Sequence, residues 1–493
     1  MKKHLRLISL VLSLITVLAC LAACGGGTED TTLPPETDVS DNESGRDSVK
    51  DTVPEGLDFG GESVTFFVRD NLEMWKKEMD VNETTNDTLY DAIFYRNSTV
   101  EKRLGVEIDQ ISQPGHHNER TTWNQSLRNA VLTKSGDYDA AAIYQAFATE
   151  LAFEGCYYNV LDVPYINLDQ PWWNQMIRKE LTLFDSLYFL AGDLTVTQSA
   201  TANGIFFNKR LADEFYGTQN INLYDVVDKG EWTIDYMHEL VAGVWLDANS
   251  DGMIDSHDTV GFSAYEENGG AQLDPWIPAL GINVTQIEDG YPVLTIYDEH
   301  TVAAWEKVQK LYNENPGTLT KALRGNSPFM EGKQLFVLGN LDLGSSFRSM
   351  RDSYGVLPMP KYDTAQEDYR TKFSTNASLV TILSTCDNTE KVGATLELMA
   401  AESYKQVTPA YYEVCLKGKY SDAPDDARMY DKILESVYFD FGFCYAYSIG
   451  DVGTFFRKLD RDIAQHWEQN KIMFDTKFNE VIDKLDEVSF NME

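Results

Sequence analysis

Residues 139–144, Asp-Ala-Ala-Ala-Ile-Tyr, form a run of small apolar side chains that ends in an aromatic residue. A run without polar alternation is typical of a strand that is buried on both faces of a parallel sheet. Residues 64–68 and 106–111 are also rich in Val, Ile and Phe and predict two further strands upstream. These three strands predict the start of an α/β unit.

The segments between these strands have helical spacing. Apolar residues recur from Leu89 to Leu104 on one helical face, and Gly105 is placed to end that helix. Trp123 and Leu127 mark a second helix. Strand–helix alternation predicts a parallel sheet, whose ligands bind beyond the carboxyl ends of the strands. Tyr144 and the residues after it are therefore candidate ligand contacts.

The length and composition of the chain narrow the class of protein. A chain of 493 residues is too long for one ordinary domain and suits two lobes of roughly 200 residues each. Its apolar fraction of 43% is enough for two buried cores. The formal net charge of −37, without a cluster of Lys and Arg, argues against binding to nucleic acid.

The N-terminus has the pattern of a secretion signal. Basic residues at positions 2, 3 and 6 precede a short apolar run over residues 7–18, which is too short for a comfortable membrane span. Leu21-Ala22-Ala23-Cys24 then resembles the bacterial lipobox, in which the cysteine is acylated. We expect a signal peptide over residues 1–23 and a lipid anchor at Cys24 on the extracytoplasmic face of the cell membrane. Cys20 is a competing site, and an ordinary cleaved signal is the alternative.

Residues 24–58 contain the expected acylated cysteine and a segment rich in Gly, Thr, Pro, Asp, Glu and Ser. Almost no large apolar side chain occurs in this segment, so it predicts a flexible tether between anchor and body.

A calcium loop is predicted over residues 247–258. Acidic or amide side chains stand at positions one, three, five, nine and twelve, and glycine stands at position six, as in the twelve-residue loop that wraps a hard cation in oxygen ligands. A helix precedes the loop and a strand follows it, so we expect one structural Ca²⁺ site; an acidic turn without metal is the alternative. The predicted ligands are Asp247, Asn249, Asp251, Met253, Asp255 and Asp258.

Motifs of common enzymes are missing from the sequence. His238-Glu239 lacks the second histidine of a zinc protease, and neither a phosphate-binding Gly-x-x-x-x-Gly-Lys nor a Gly-x-Ser-x-Gly elbow occurs. The six cysteines form no C-x-x-C pair. Cys415 and Cys444 could pair, although buried free thiols are the preferred reading.

Five motifs along the chain resemble the carbohydrate-type extracellular solute-binding proteins of ABC importers, the group that includes maltose-binding protein. Each motif alone is weak evidence, and it is the order of the motifs along the chain that is specific to this family. Leu341 stands where that family has a tryptophan, which puts the stacking role of this loop in doubt. The motifs are GDYDAAA at 136–142, IFFNK at 205–209, DPWIPALG at 274–281, EGKQLFVLGN at 331–340 and YGVLPMP at 354–360.

The resemblance implies a periplasmic-binding-protein-like fold with two α/β lobes, several hinge crossings and a central ligand cleft. It implies a first lobe of residues 59–196 plus 373–405 and a second lobe of residues 197–372 plus 406–493. A sugar cleft needs aromatic platforms for the ring faces and polar side chains for the hydroxyl groups. An aromatic residue in the hydrophobic core is the alternative for each platform. The candidate platforms are Tyr144, Trp172, Trp173, Trp276 and Tyr412, and the candidate hydrogen-bonding residues are Gln145, Asp193, Gln198, Asn340, Asp342 and Arg348.

The expected function is that of a binding subunit without catalytic residues. It would capture a carbohydrate, expected to be an oligosaccharide, and deliver it to the transmembrane subunits of an ABC permease. We expect a monomer that meets the membrane only through its lipid anchor. A surface-anchored lyase or hydrolase acting on glycans is the main alternative, and a binder of a non-sugar solute is another.

Overall fold

The computed structural model describes residues 43–265, 271–322, 327–419 and 424–492. The predicted signal peptide and Cys24 lie outside the described residues. Residues 1–49 and residues 50–493 form separate units, and the described part of the first unit contains the short helix Glu43–Asp47. The folded body extends upstream of the predicted boundary at residue 59, because Asp51 pairs with Arg103 at 2.7 Å and Val53 is buried.

The described residues contain thirteen strands. They are β1 Glu62–Arg69, β2 Val106–Gln113, β3 Ala140–Tyr144, β4 Asn203–Asn208, β5 Trp245–Leu246, β6 Thr259–Val260, β7 Phe262–Tyr265, β8 Thr285–Glu288, β9 Tyr291–Leu294, β10 Thr318–Ala322, β11 Phe336–Asn340, β12 Tyr354–Leu357 and β13 Ser378–Ile382.

The first sheet has the strand order β13-β3-β1-β2. β1 pairs in parallel with β2 and β3, which confirms the three parallel strands predicted from the sequence. The fourth strand, β13, is antiparallel to β3 and places Ser378 opposite Tyr144. The carboxyl ends of β1 and β3 and the start of β13 therefore meet at one edge, which carries Arg69, Tyr144 and Ser378.

The longer of the two helices between β1 and β2 begins and ends at residues that favour a helix start and a helix stop. It spans Thr88–Leu104 and begins after Asp87, whose carboxylate accepts hydrogen bonds from the backbone N–H groups of Leu89 and Tyr90. It ends at Gly105, whose φ of 59° is left-handed and suits glycine. The predicted stop at Gly105 is confirmed.

The helices of seven or more residues carry most of the remaining core. They are Thr88–Leu104, Arg120–Thr133, Gln175–Leu181, Lys209–Tyr216, Ile234–Ala242, Glu299–Asn313, Thr389–Glu402, Pro424–Glu435 and Ile463–Met492. Shorter α-helices are Glu73–Lys77, Gln145–Ala148, Thr197–Ala200, Leu223–Asp228, Trp276–Ala279, Ser327–Met330, Gly344–Phe347 and Phe441–Cys444, and π-helical segments span Ser403–Val407 and Ala410–Lys419.

The second sheet has the order β11-β4-β12 and is antiparallel throughout. Its central strand β4 is completely buried and leads directly into the helix Lys209–Tyr216, as the sequence predicts. At one end of this sheet Asn203 faces Asn340, and the Asn203 side chain donates to Asn340 Oδ1 at 2.8 Å.

Two chain segments, residues 201–203 and 371–374, connect the two sheets, and residues 436–438 pair with the second of them. We call these three segments the hinge ribbon. The first two segments run antiparallel, with Asn203 N donating to Lys372 O at 2.9 Å and Ser374 N donating to Thr201 O at 2.9 Å. The third segment pairs with Thr371 through a parallel bridge to Val437.

The last helix, Ile463–Met492, is about 45 Å long at 1.5 Å per residue. Near its start Trp467 stacks on Tyr297, with 5.3 Å between ring centroids. Near its end Ser489 and Tyr188 hydrogen-bond at 3.3 Å, and Tyr188 lies beside β13. The sequence predicts a mostly helical and aromatic region over residues 431–486, and most of these residues are helical in the structure. Turns between Cys444 and Ile463 interrupt the helices and carry Tyr447 and Arg457.

Candidate ligand-binding site

A small cavity, with an accessible volume of about 20 Å³, lies against the hinge ribbon, and we call it the hinge cavity. Four rings line it, from Phe373, Tyr438, Phe439 and Phe443, together with aliphatic side chains of residues 277–284. Its polar lining residues are Gln145, Lys372 and Asp440. The lining is mostly apolar with a few polar groups, as in small-molecule sites, but the accessible volume in this form holds about one water molecule.

Gln145 enters the hinge cavity from the first sheet, directly after β3. Its side chain is 3% exposed, and its carbonyl oxygen Oε1 has no hydrogen-bond partner. An unpaired buried acceptor costs free energy, so this oxygen is ready to accept a donor from a ligand. The structure thus places one sequence-predicted residue, Gln145, in this cavity.

Lys372 enters the same cavity from the hinge ribbon. Its ammonium group donates to the backbone oxygen of Phe373 at 3.0 Å and lies 4.3 Å from the centre of the Phe443 ring. Burial lowers the pKa of Lys372 to about 8. The nearby carboxylate of Asp274 is bound by Arg457 through two hydrogen bonds of 2.8 and 2.7 Å.

Asp440 has a structural role at the wall of the cavity. Its carboxylate accepts from the backbone N–H groups of Val284 at 2.8 Å and Phe443 at 3.1 Å, and from the hydroxyl of Thr285 at 3.0 Å. It thereby caps the helix Phe441–Cys444 and fixes the β8–β9 hairpin beside it. These donors already occupy its oxygen atoms.

At the carboxyl edge of the first sheet, one buried cation lies between two aromatic rings, and we call this group the sheet-edge wall. The Arg69 guanidinium is completely buried and lies 4.2 Å from the Trp75 ring centre and 5.4 Å from that of Tyr144. Its Nη2 donates to Ser378 Oγ at 2.6 Å, whereas its Nε and Nη1 have no partner. Burial lowers the pKa of Arg69 to about 10, while Glu78 opposes that change.

Tyr447 approaches this wall from the turns after the helix Phe441–Cys444. Its hydroxyl hydrogen-bonds His117 Nδ1 at 3.3 Å, and the Arg120 guanidinium lies 4.8 Å from its ring centre. His116, beside His117, is in edge contact with Tyr144 at 5.8 Å. The adjacent histidines His116 and His117 therefore contact the rings of Tyr144 and Tyr447, respectively.

A second and roomier cavity, with an accessible volume of about 240 Å³, also borders the hinge ribbon, and we call it the tryptophan cavity. It brings together four sequence-predicted residues, Trp172, Trp173, Asp193 and Gln198. Phe373 borders both cavities. The predicted site residues are therefore split between two cavities at the hinge ribbon.

The two tryptophans of that cavity are 0% and 3% exposed, so they offer little surface for stacking. Trp173 Nε1 donates to Glu397 Oε2 at 2.9 Å. Burial raises the pKa of Glu397 to about 7. This environment gives Trp173 a packing role in the ligand-free chain.

The remaining predicted residues occupy other positions. Trp276 is completely buried and donates to Tyr312 at 3.0 Å, which places it in the core behind the hinge cavity. Asn340 accepts from Asn203 and from Ser374 at 2.9 Å. Tyr144 is 7% exposed and packs against Arg69 and Phe147. Burial raises the pKa of Asp342 to about 6. Arg348 is exposed, and the hydroxyl of Tyr412 donates to Asp431.

The sequence analysis missed Arg69, Trp75, Lys372 and Tyr447. Arg69 had a usable signal, because it follows the apolar run of β1 just as Tyr144 ends that of β3. Lys372 had no such signal in the sequence beyond its position next to an expected crossing between the lobes. The positions of Trp75 and Tyr447 depend on turns, which follow no periodic pattern.

The predicted calcium loop joins two short paired strands, β5 and β6, and no helix enters it directly. Asn249 Nδ2 donates to Asp251 Oδ2 at 3.0 Å and to Asp255 Oδ2 at 3.1 Å. Asp258 closes the loop by accepting from Trp245 Nε1 at 3.0 Å and Ala248 N at 2.9 Å. Among the described residues, no three His, Cys, Asp or Glu side chains are arranged to hold a metal ion. The calcium prediction therefore rests on the spacing of these residues in the sequence.

Two further observations concern the predicted anchor and thiols. Among the described residues, no helix combines the length and apolar character needed to cross a membrane. Cys156, Cys386 and Cys444 are free thiols.

Comparison with known proteins identifies the fold through structure. No protein-family model and no curated relative matches the sequence. The sugar-binding protein MalE from Xanthomonas citri matches with a TM-score of 0.55 and 14% identity, over 87% of this chain and 98% of that one. A cyclo/maltodextrin-binding protein complexed with maltotetraose has a TM-score of 0.54 and 12% identity, over 87% and 97%.

An ABC substrate-binding protein from Listeria monocytogenes, in complex with cycloalternan, matches with a TM-score of 0.51 and 12% identity, over 88% of this chain and 98% of that one. The chain therefore has the two-lobe α/β fold of periplasmic binding proteins, as its sequence motifs implied.

Proposed function

We propose that this protein is the substrate-binding subunit of an ABC importer and that it captures a carbohydrate at the hinge ribbon. The observation that carries the proposal is the chemistry of the side chains that line the hinge cavity. Four aromatic rings surround a small set of polar groups there, beside the hinge ribbon. Aromatic faces with a few buried hydrogen-bonding groups suit a sugar, which has apolar ring faces and a rim of hydroxyl groups.

The structural neighbours support this choice of ligand class. They are sugar-binding or substrate-binding proteins, two of them in complex with maltotetraose and cycloalternan. Because the likeness is one of fold, the chemistry of the site has to carry the argument for this chain. Gln145 supplies that chemistry, because its buried oxygen lacks a donor.

The proposed mechanism is binding without chemistry. The hinge ribbon lets the two lobes close on a ligand, and the closed form docks on the transmembrane subunits of a permease. Acylation at Cys24 would hold the protein at the extracytoplasmic face of the membrane, because each buried methylene of an acyl chain contributes about 0.8 kcal/mol. We propose a monomer with one ligand site and a structural Ca²⁺ in the loop over residues 247–258.

A thermal-shift and calorimetric screen of the purified protein against mono- and oligosaccharides tests the proposal. A ligand that binds the native state raises the melting temperature by mass action. A saccharide that raises it and is recovered unchanged supports a binding protein. A saccharide that is cleaved would instead support a glycan-active enzyme, and no response to any saccharide would contradict the proposed ligand class.

A further inference from the structure

The tryptophan cavity lies at the carboxyl edge of the first sheet. Leu190 N donates to Val380 O at 2.7 Å and Val380 N donates to Leu190 O at 3.0 Å, so the segment around Leu190 runs antiparallel to β13 and parallel to β3. On its other side Val380 faces Ala142 of β3. Asp193 follows Leu190 by three residues, just as Gln145 follows Ala142. Both side chains therefore stand beyond the ends of parallel segments, where ligands of α/β sheets bind.

Gln198 brings a second residue of this cavity to the same edge. Its side chain is 7% exposed, and its Nε2 donates to the backbone oxygen of Ser378 at the long distance of 3.4 Å. Ser378 faces Tyr144 across β13 and β3. The lining of the tryptophan cavity thus continues the edge that leads to Gln145, and Phe373 borders both cavities. The two cavities are adjoining parts of one site.

The tryptophan cavity is the part of this site that has room for a ligand. Its accessible volume is about 240 Å³, against about 20 Å³ for the hinge cavity. A cavity needs about 10–15 Å³ of such volume to hold one water molecule, so this one suits a molecule with the size of a sugar ring. The apolar part of its lining includes Phe373, Leu434 and Val437 beside the buried Trp172 and Trp173.

The polar groups of the lining can bind hydroxyl groups. The Asp193 carboxylate accepts from the hydroxyl of Thr408, and a carboxylate can accept further hydrogen bonds. Asn174 Oδ1 accepts from Ile177 N at 3.1 Å, which leaves the Nδ2 group of the same amide to donate to a ligand. Ser199 adds a hydroxyl group. Donors and acceptors beside an apolar wall suit a sugar, whose ring faces are apolar and whose rim carries hydroxyl groups.

The charge of the lining selects against an acidic ligand. Among the described residues that line the tryptophan cavity, Asp193 alone has a charged side chain, and no Lys or Arg is present. A carboxylate on the ligand would meet Asp193 without a cation to pair with, and the net charge of −37 acts in the same direction. Hydroxyl groups, in contrast, donate to a carboxylate in charge-assisted hydrogen bonds, which are roughly twice as strong as neutral ones.

Building on the proposed function, we infer that the tryptophan cavity binds one uncharged sugar unit of the carbohydrate and that hydroxyl groups of this unit donate to Asp193. The unit lies against Phe373, next to the hinge cavity, and accepts from the Asn174 amide. An uncharged hexose, free or as one unit of an oligosaccharide, has the required hydroxyl groups, whereas a uronic acid adds a carboxylate that Asp193 repels.

Calorimetry with matched sugars tests the inference on the full-length protein. Galactose is compared with galacturonic acid and glucose with glucuronic acid, each as the monosaccharide and as a short oligosaccharide. We expect the uncharged member of a pair to bind at least about tenfold more tightly at about pH 7. Asp193→Asn keeps the shape of the side chain and an acceptor for Thr408, and it should bring the ratio of the two dissociation constants to about one.

A variant that fills the cavity locates the ligand independently of charge. Ser199→Phe places a ring in the tryptophan cavity and should weaken the binding of uncharged sugars by at least about tenfold, and Val437→Phe is a second variant in case the first folds poorly. Asp352→Asn is the matched control for Asp193→Asn. Asp352 is also half-buried and accepts from Asn208 Nδ2 at 2.9 Å, but it lines neither cavity, so this variant should keep the preference for uncharged sugars.

Two kinds of result would overturn the inference. Equal binding of uncharged and acidic sugars, an unchanged preference in Asp193→Asn, or wild-type affinity in a folded variant with a filled cavity excludes the tryptophan cavity as the sugar site and leaves carbohydrate binding intact. Absence of binding for sugars of both kinds rejects the inference together with the proposed function.

Discussion

Tyr447 and His117 are joined by a hydrogen bond of 3.3 Å between the tyrosine hydroxyl and Nδ1 of the imidazole ring. His117 follows β2 of the first sheet, and Tyr447 follows the helix Phe441–Cys444, which lines the hinge cavity. Arg120 lies over the same tyrosine ring at 4.8 Å. This contact joins the turn after β2 to the turns that follow the helix Phe441–Cys444.

Removal of the Tyr447 hydroxyl should therefore weaken ligand binding modestly. In Tyr447→Phe the ring still packs under Arg120, but the hydrogen bond of about 0.5–1.5 kcal/mol is lost. We expect about a two- to tenfold increase in the dissociation constant, measured by calorimetry. Tyr95→Phe, at a tyrosine that is 55% exposed, is the control and should bind as tightly as the wild type. Unchanged binding in Tyr447→Phe would show that the contact does not stabilise the liganded form.

Glu180 should make stability depend on pH. Burial, with a contribution from Asp440, raises the pKa of Glu180 to about 7 in the folded protein, from 4.5. Between these values the folded state keeps a proton that the unfolded chain has released. This contribution to stability is fully present below pH 4.5 and is lost as the pH rises through about 7.

Glu180→Gln should consequently be more stable than the wild type at pH 8 and similar to it at pH 4.5. Urea unfolding at the two pH values measures the difference. The same substitution at Glu107, an exposed residue of β2, should have little effect at either pH. A constant difference between wild type and Glu180→Gln across this range would contradict the raised pKa.

Calcium should stabilise the protein through the loop over residues 247–258. Millimolar Ca²⁺ should raise the melting temperature, and EDTA should reverse the increase, because a ligand at 100 times its dissociation constant contributes about 2.7 kcal/mol. Asp251→Asn should abolish the response. Asp289→Asn, in the acidic turn of the β8–β9 hairpin, should retain it. If the melting temperature is the same with and without calcium, the loop is an acidic turn that binds no metal.

Gly192 should tolerate no side chain. It has a φ of 142°, and a Cβ atom there would lie 2.0 Å from the backbone oxygen of Trp172. Gly192→Ala should therefore lower the free energy of unfolding by more than about 3 kcal/mol. Gly136→Ala shares a positive φ, of 68°, but meets no atom within 4 Å, so only about 1 kcal/mol should be lost. Chemical unfolding of the two variants separates steric overlap from backbone strain.

The regular elements were predictable from the sequence because burial imposes a period on them. The apolar runs of β1 and β3 and the stop at Gly105 all correspond to elements of the structure. β13 could be predicted as a strand, but its antiparallel direction could not, because direction depends on how the chain returns from the second sheet. The turns in the aromatic region after residue 431 were not predictable either, because their rings pack against segments that are distant in the sequence.

The candidate site was less predictable than the fold. Gln145 follows a strand end and was found by that rule, whereas Lys372 occupies a hinge segment whose surroundings come from four separate parts of the chain. For Trp276, the sequence pattern suggested a ligand contact at a residue that the structure places in the core. A tryptophan beside a family-like motif suggested an exposed platform, but its ring fills the core and its N–H finds Tyr312.

The pairing of Asp51 with Arg103 has a mechanical consequence. Two hydrogen bonds of 2.7 and 2.9 Å clamp the start of the body to the helix Thr88–Leu104, which is far along the chain from every segment of the hinge ribbon. If Cys24 is acylated, as we propose, tension along the tether reaches this clamp before it reaches the hinge ribbon. The lobes could then open and close with the same energetics whether the tether is slack or taut.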